Sequence, residues 1–297
     1  MTNVSAVIVY HSRQDELARC LGSLAFQAAQ VLVVDVSTDQ SGKGLCDRFG
    51  VEHIAAPANR GYSWACNLGI ASAGGEVIIT CNADVEFLEG SVESLAREAR
   101  NLALCSPVHL TADRRIGLDT VQPGLGRASS AARWLGYGRF RTARRLLRLL
   151  ESACDREVLD IPFDAGLSGA CIAASRGTWA KIGGWREEFF LYYEDADLSG
   201  RAHRAGIRLL VVRGALILHE SGTRRGGPSK FLLLNSLRSE RLVWQMNDVG
   251  SIRLLRVLQL CGCLARLMNA LLHGESSSAS VFLAGAIDSC GLSEGLH

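Results

Sequence analysis

No two cysteines in this chain stand at the spacing of a zinc site. Cys20, Cys46, Cys66, Cys81, Cys105, Cys154, Cys171 and Cys290 are scattered singly through apolar stretches, and only Cys261 and Cys263 are close. Structural zinc needs ligands in tight pairs, so that class is set aside. Met1 to Tyr10 has neither the basic flank nor the long apolar centre of a secretory leader, and Val4 to Val9 reads as a buried strand. The thiols are then small hydrophobes of a reduced, cytosolic compartment. No segment reads as a clean membrane span. Lysine is nearly missing, with Lys43, Lys181 and Lys230 the only ones among 32 basic residues, a bias with no functional reading. A formal net charge of +2 argues against nucleic acid held by bulk charge. No Ser, His and Asp arrangement and no reactive cysteine context speaks for covalent catalysis by the protein.

What is present suits one large α/β domain with an appendage, or two modest domains: 297 residues, 48% hydrophobic and 21% charged. Strand-like and helix-like segments alternate. Val4 to Tyr10, Val31 to Asp35, Val51 to Ala55 and Glu76 to Cys81 read as strands. Gln14 to Gln27, Gly44 to Phe49 and Gly61 to Ala73 read as helices. That rhythm predicts a mostly parallel sheet covered on both faces, with ligands beyond the carboxyl ends of its strands. Asp35, Ser37, Thr38 and Asp39 follow the second strand, and Asn82 and Asp84 follow the fourth. Carboxylates there could hold a nucleotide and a divalent cation, although Asp and Asn also favour turns after strands.

A third acidic feature comes later. Leu191-Tyr192-Tyr193-Glu194-Asp195-Ala196-Asp197 sets carboxylates at 194, 195 and 197 behind an aromatic run and ahead of a helical pattern. Crowded acids raise one another's pKa, which is one way to poise a proton acceptor. An acidic first turn matched to the helix dipole would use the same residues.

In order along the chain, these blocks resemble the family 2 glycosyltransferases of the GT-A fold, particularly their rhamnosyltransferase-like branch. The resemblance is carried by Val33-Val34-Asp35-Val36-Ser37-Thr38-Asp39, by Asn59-Arg60-Gly61-Tyr62 through Asn67, and by Asn82-Ala83-Asp84. Further on it is carried by Ser168-Gly169-Ala170-Cys171, by Gly183-Gly184-Trp185, and by the acidic run completed by Gly206 and His219. It covers roughly residues 4 to 225 and implies a GT-A (Rossmann-like) sheet flanked by helices. By that resemblance Tyr10, Asp35, Asn59, Gly61, Asn67, Asn82 and Ala83 line the nucleotide side. Asp35 touches the base, Asp84 and His219 hold Mg²⁺ or Mn²⁺, and Asp195 deprotonates the acceptor hydroxyl.

The implied reaction is an inverting transfer from a nucleotide sugar, a deoxyhexose donor such as dTDP-rhamnose, to a glycan or lipid-linked acceptor in cell-surface polysaccharide or glycoconjugate synthesis. Asn82 departs from the acid that usually opens the metal motif, leaving Asp84 as its only ionised member. A nucleotide-sugar binding protein without turnover is the alternative that this departure suggests. Arg186 stands where the family usually has an aspartate after the glycine pair.

Residues 109 to 165 break the rhythm and read as an acceptor-facing or membrane-facing insertion. Within it Arg133, Arg139, Arg141, Arg144, Arg145 and Arg148 interleave with Trp134, Leu135, Phe140 and leucines. Such a stretch suits an anionic membrane or a lipid diphosphate, or equally a solvated basic helix, and a membrane-surface module is the third functional reading. After Gly226-Gly227-Pro228 a C-terminal helical extension, 226 to 297, is expected. Its helices are Lys230 to Met246 and Ile252 to His273, then a linker from Gly274 to Ser280 and a short last helix. It could pack on the catalytic domain, form a homodimer or dock on a membrane. The expected location is the cytoplasm, at the inner face of the cell membrane, with no nucleic-acid partner.

Overall fold

The computed structural model describes residues 3–25, 27–136, 148, 157–219 and 229–291. Its first half follows the expected alternation: β1 (Val4–Tyr10), α1 (Gln14–Leu24), β2 (Gln30–Asp35), α2 (Lys43–Phe49), β3 (Glu52–Ala55), α3 (Tyr62–Ser72) and β4 (Val77–Asn82). Apart from Ser5, whose hydroxyl is hydrogen-bonded to Gln30 and Gly75, β1 is apolar along its length because both of its faces are covered. Val4, Ala6, Ile8 and Tyr10 join one core with Leu17, Cys20, Leu21 and Leu24, a helical stripe of α1. Val7, Leu32 and Val34 join the opposite core with Ala65 and Cys66 of α3.

The chain continues through β5 (Val85–Phe87), α4 (Ser91–Ala99), β6 (Ala103–Leu110), β7 (Val121–Pro123), α5 (Arg127–Trp134), β8 (Val158–Asp160), β9 (Ala165–Leu167) and β10 (Cys171–Ser175). It ends with α6 (Arg176–Ile182), α7 (Glu194–Arg204), β11 (Arg208–His219), α8 (Lys230–Met246), α9 (Ile252–Leu272) and α10 (Ser276–Ser289). The nine-stranded sheet has the order β3-β2-β1-β4-β10-β6-β11-β5, with β8 also on β11, while β7 and β9 pair separately. Strands β3, β2, β1 and β4 are parallel. Beyond β4 the sheet is mixed: β10 runs antiparallel to both neighbours, β6 and β11 are parallel, and β5 and β8 are antiparallel on β11.

Three sequence readings need revision. The segment 109 to 165 is not devoid of regular structure, since the end of β6, β7, α5, β8 and the start of β9 fall in it. Of its arginines, Arg139, Arg141, Arg144 and Arg145 lie outside the described residues. The last helix starts at Ser276, inside the stretch read as a linker, just after Gly274 at φ 71° ends α9. Finally, α9 is long and apolar enough to cross a membrane by length and composition, with a mean hydropathy of 1.4 over its best window. Its arginines interrupt the run in sequence, but no acidic residue does.

The C-terminal helices attach to the rest through a buried polar knot. The Glu240 carboxylate, 0% exposed, accepts from Ser130 Oγ at 2.7 Å, Trp134 Nε1 at 2.7 Å and Gln259 Nε2 at 3.0 Å. A buried charge so fully hydrogen-bonded is tolerated and fixes how α5, α8 and α9 meet.

Gly69 marks the closest approach of a helix to the sheet: a Cβ there would overlap Val7 Cγ1 and lie 3.1 Å from Val34 Cγ2. Gly69→Ala is therefore expected to lower stability by about 1–3 kcal/mol through overpacking, read as a shifted urea midpoint at constant m value.

Candidate functional site

The strand ends beyond β1, β2 and β4 are adjacent because the register pairs Tyr10 with Asp35 and Val9 with Asn82. Tyr10 is buried and its hydroxyl meets Ser41 Oγ at 3.1 Å. Asp35 is 0% exposed. Its Oδ1 accepts from Ser37 N at 2.9 Å and from the Ser37 hydroxyl, and its Oδ2 accepts from Gly42 N at 2.9 Å and faces His53 Nε2 at 3.1 Å. These contacts brace Asp35 at the strand end where the family resemblance puts the base. What Asp35 does is shape the loop from Val36 to Gly42.

The second block acts as a clasp. Asn59 Oδ1 accepts from Gly61 N at 3.0 Å, and Tyr62 N donates to Phe190 O at 3.0 Å, pinning the start of α3 to the segment before α7. Gly61 has φ +99°, and a Cβ would come within 2.5 Å of Phe190 O, so glycine is required on both counts. Asn67 is committed to backbone too: Nδ2 donates to Trp185 O at 2.8 Å and Oδ1 accepts from Trp185 N at 2.9 Å. It anchors the Gly184-Trp185 turn, and Nδ2 also donates to Glu187 Oε1 at 3.0 Å.

The decisive joint lies between β4 and β10. Because β10 enters antiparallel, its leading residues meet the end of β4, and Asn82 N donates to Ala170 O at 3.0 Å. The neighbouring Gly169 N donates to Asp195 Oδ2 at 3.1 Å, and Gly169 O accepts from Tyr62 Oη at 2.8 Å. Asp195, which opens α7, is thereby held beside the strand end that carries Asn82, Ala83 and Asp84.

Environment divides the three clustered acids. Asp197 is fully buried and neutralised: Arg186 Nη1 lies 2.9 Å from Oδ1 and Arg201 Nε 2.7 Å from Oδ2. This corrects its expected part in lifting the pKa of Asp195, since its charge is already paired, and it explains Arg186 as a structural partner. Glu194 is buried with Oε2 unpartnered, and burial, with the Asp195 charge added, pushes its pKa up to about 8. Asp195 stays half-buried. Its pKa is raised by burial and held back by the Gly169 and Ala196 amides and by Arg133. Arg133 stands 5.0 Å over the Tyr193 ring. Tyr192 and Tyr193 both have positive φ, 69° and 65°, a strained approach that aims the start of α7.

At the other side of β4, Asp84 Oδ1 is buried without a hydrogen-bond partner, 3.6 Å from Nε2 of His219 at the end of β11. One carboxylate oxygen and one imidazole nitrogen facing each other suit a divalent cation. Sequence reasoning missed two residues here. Asp119 Oδ2 lies 2.8 Å from His219 Nδ1 and 3.0 Å from His109 Nδ1, and donor atoms of the three lie within 4.8 Å of one another, a geometry able to hold a metal ion. His109 ends an apolar strand run much as His219 does, which was the available signal; Asp119 sits in a loop and carried none.

The sequence profile of glycosyl transferase family 2 matches residues 5–118. An N-acetylglucosaminyl-diphospho-decaprenol L-rhamnosyltransferase of Mycobacterium tuberculosis is 32% identical over 252 residues, 76% of this chain and 79% of the relative. Among solved structures, a mannosyltransferase of Pyrobaculum calidifontis in complex with GDP-Man and Mn²⁺ superposes with a TM-score of 0.56 at 12% identity, over 97% of this chain and 87% of that one. The structure of GalNAc-T7 with UDP, GalNAc and Mn²⁺ gives a TM-score of 0.58 at 15% identity, over 82% of this chain and 48% of that one.

The Glu194 carboxyl has a testable consequence for stability. Between its ordinary 4.5 and about 8 the folded chain holds a proton there that the unfolded chain has released. The folded state then binds more protons, and stability falls as pH rises through that window. Glu194→Gln is expected to flatten that fall, read from thermal midpoints between pH 5 and pH 8.5. An unchanged slope would mean that Glu194 is ionised in the fold.

Proposed function

The chain belongs to the family 2 glycosyltransferases, and on that premise we propose that it moves a deoxyhexose from a nucleoside diphosphate to a hydroxyl of a lipid-linked glycan, inverting the anomeric carbon. The name of the Mycobacterium relative supports rhamnose as the sugar and a polyprenyl-diphosphate-linked N-acetylglucosamine as the acceptor. The observation that carries the enzyme reading is the β4 and β10 joint, which sets the Asp195 carboxylate beside the strand end bearing Asp84.

Asp84 and His219 are the residues that would hold Mg²⁺ or Mn²⁺. Asp84 Oδ1 is a buried acceptor in need of a positive partner, and both solved relatives named above contain Mn²⁺. When bound, such an ion neutralises charge developing on the departing diphosphate. Asp195 takes the proton of the acceptor hydroxyl while that oxygen bonds to the anomeric carbon. The bond from that carbon to the diphosphate oxygen breaks, and the nucleoside diphosphate leaves with its electron pair. The raised pKa of Asp195 brings it closer to its task, and the two amides that it accepts from fix its direction. Asp35, Asn59, Gly61 and Asn67 serve the nucleotide side by holding the loops that border it, with Tyr10, Asn82 and Ala83 at the strand ends between.

Residues 1–225 would carry this chemistry, and 226–297 would bring it to the acceptor. Along α9, Leu254, Val257, Leu264, Met268 and Leu271 are all exposed and recur on one face. The helix carries Arg253, Arg256 and Arg266 and no carboxylate, so an anionic lipid interface complements it, whereas a second copy would oppose like charges. Leu255 of the same helix packs in a core with Tyr193 and Ala196, so a docked α9 keeps α7 close to the membrane.

Asp195→Asn is expected to cut kcat about 10²- to 10⁴-fold with nucleotide-sugar affinity unchanged; full turnover in that variant would remove Asp195 as base and sink the mechanism. Replacing Leu264 and Met268 together by Asp should reduce co-flotation with phosphatidylglycerol vesicles about tenfold or more, and equal flotation would exclude α9 as the docking face.

A further inference from the structure

His219 does not stand alone at the cation pole. Strands β6 and β11 are parallel with Ile217 opposite His109, so His219, two residues on, projects from the same face as His109 as its diagonal neighbour. The two rings meet edge to face with centroids 5.4 Å apart. A tight excursion after β6 then returns Asp119 to both rings. Gly117 N donates to His109 O at 2.8 Å, and Thr120 Oγ1 accepts from His109 N at 3.1 Å and donates to Gly117 O at 3.0 Å. A side chain at Gly117 would press on Asp119 Oδ1, so the excursion is shaped around that carboxylate.

One oxygen, Asp119 Oδ2, faces Nδ1 of both histidines. A carboxylate only accepts, so Nδ1 of each ring carries a proton, and Nε2 is the position left for a metal-ligating lone pair. For His219 that position faces Asp84 Oδ1, 3.6 Å away and itself buried without a partner. A ring nitrogen and a carboxylate oxygen at that separation can share a cation, either the proton of a charged His219 or a bound metal ion. His109 Nε2 is also buried and unpartnered, but no carboxylate stands opposite it among the described contacts, so the pairing with an acid belongs to His219.

We propose that Asp119, braced by His109, is a positioning residue that fixes His219 as an Nε2 ligand and returns to the cation pole the negative charge that Asn82 does not supply. This rests on the assignment of Asp84 and His219 as the metal pair. Ligating histidines elsewhere gain orientation and basicity from a carboxylate on the far nitrogen, and its loss costs about 10- to 100-fold in metal affinity. Here the supporting carboxylate comes from a loop, and one oxygen serves two rings.

The test uses the full chain, with Mn²⁺ alone as probe, titrated by the free-ion electron paramagnetic resonance signal, and with long-range ¹H–¹⁵N spectra of the histidine rings in metal-free protein. Asp119→Asn is expected to raise the Mn²⁺ dissociation constant about 10- to 100-fold and to convert His219 from a single Nδ1-protonated form to a mixture. His109→Gln should weaken Mn²⁺ by less. Gly117→Ala, which displaces the carboxylate without removing it, should act in the direction of Asp119→Asn and serves where that variant does not fold. Unchanged Mn²⁺ affinity and an unchanged His219 tautomer in Asp119→Asn would overturn the proposal. So would His109→Gln abolishing Mn²⁺ binding as completely as Asp119→Asn, because the ion would then sit among His109, Asp119 and His219. Asp84→Ala separates the two readings: if it leaves Mn²⁺ binding intact, the metal pair itself is wrong, whatever Asp119 does.

Discussion

The antiparallel entry of β10 beside β4 is the constraint on which the site depends. In a wholly parallel sheet, the residues leading into a strand lie at the end opposite the carboxyl termini of its neighbours. Reversing β10 brings Gly169 and Ala170 to the carboxyl end of β4, where Ala170 O receives Asn82 N and Gly169 N turns to Asp195. The hydrogen bonds of one strand pair therefore link a turn at residue 84 to a helix start at residue 195. Tyr62, donating to Gly169 O, ties the start of α3 to the same joint.

Chemical identity matters less at this joint than surroundings. Glu194, Asp195 and Asp197 are all carboxylates within one helical turn, yet each meets a different environment. Two guanidinium groups pair Asp197 and hold α7 against the Gly184 turn, since Arg201 also donates to Ile182 O and Gly184 O. Glu194 is buried with one oxygen unpartnered and retains its proton, and Asp195 keeps part of its surface open while receiving two backbone amides. A charge that is paired, a proton that is retained and an acceptor that is aimed arise from the same side-chain type because burial and hydrogen bonding decide which form is favoured. The positive φ angles of Tyr192 and Tyr193 belong to the same device, holding the turn that directs these residues apart.

Much of this was legible in the order of residue types. Alternating apolar runs located β1 to β4 and their helices to within a few residues, and the polar strand ends pointed to one edge of the sheet. The family resemblance also pairs Asp84 with His219 across 135 positions of chain, and the two side chains stand 3.6 Å apart. Less was legible where roles depend on what lies opposite. Asp35 and Asn67 look like ligand-facing polar groups in sequence, and the backbone and side-chain partners that each also holds could not be read there, because a buried polar group is satisfied by whatever the fold brings near. Asp119 was invisible for the opposite reason: a lone aspartate in a loop has no pattern until β6 and β11 bring two histidines to it.

Local patterning determined by itself that strands and helices alternate, that polar residues close the strands on one side, and that a long basic and apolar helix follows the sheet-forming part, since periodicity and strand-end chemistry are properties of neighbours in the chain. Only the tertiary structure decided that β10 runs backwards, that Asp197 is paired by two arginines while Asp195 accepts two backbone amides, and that Asp119 stands behind His219. Those outcomes turn on hydrogen bonds and ion pairs between distant segments, whose energies depend on distance and burial that no linear spacing records.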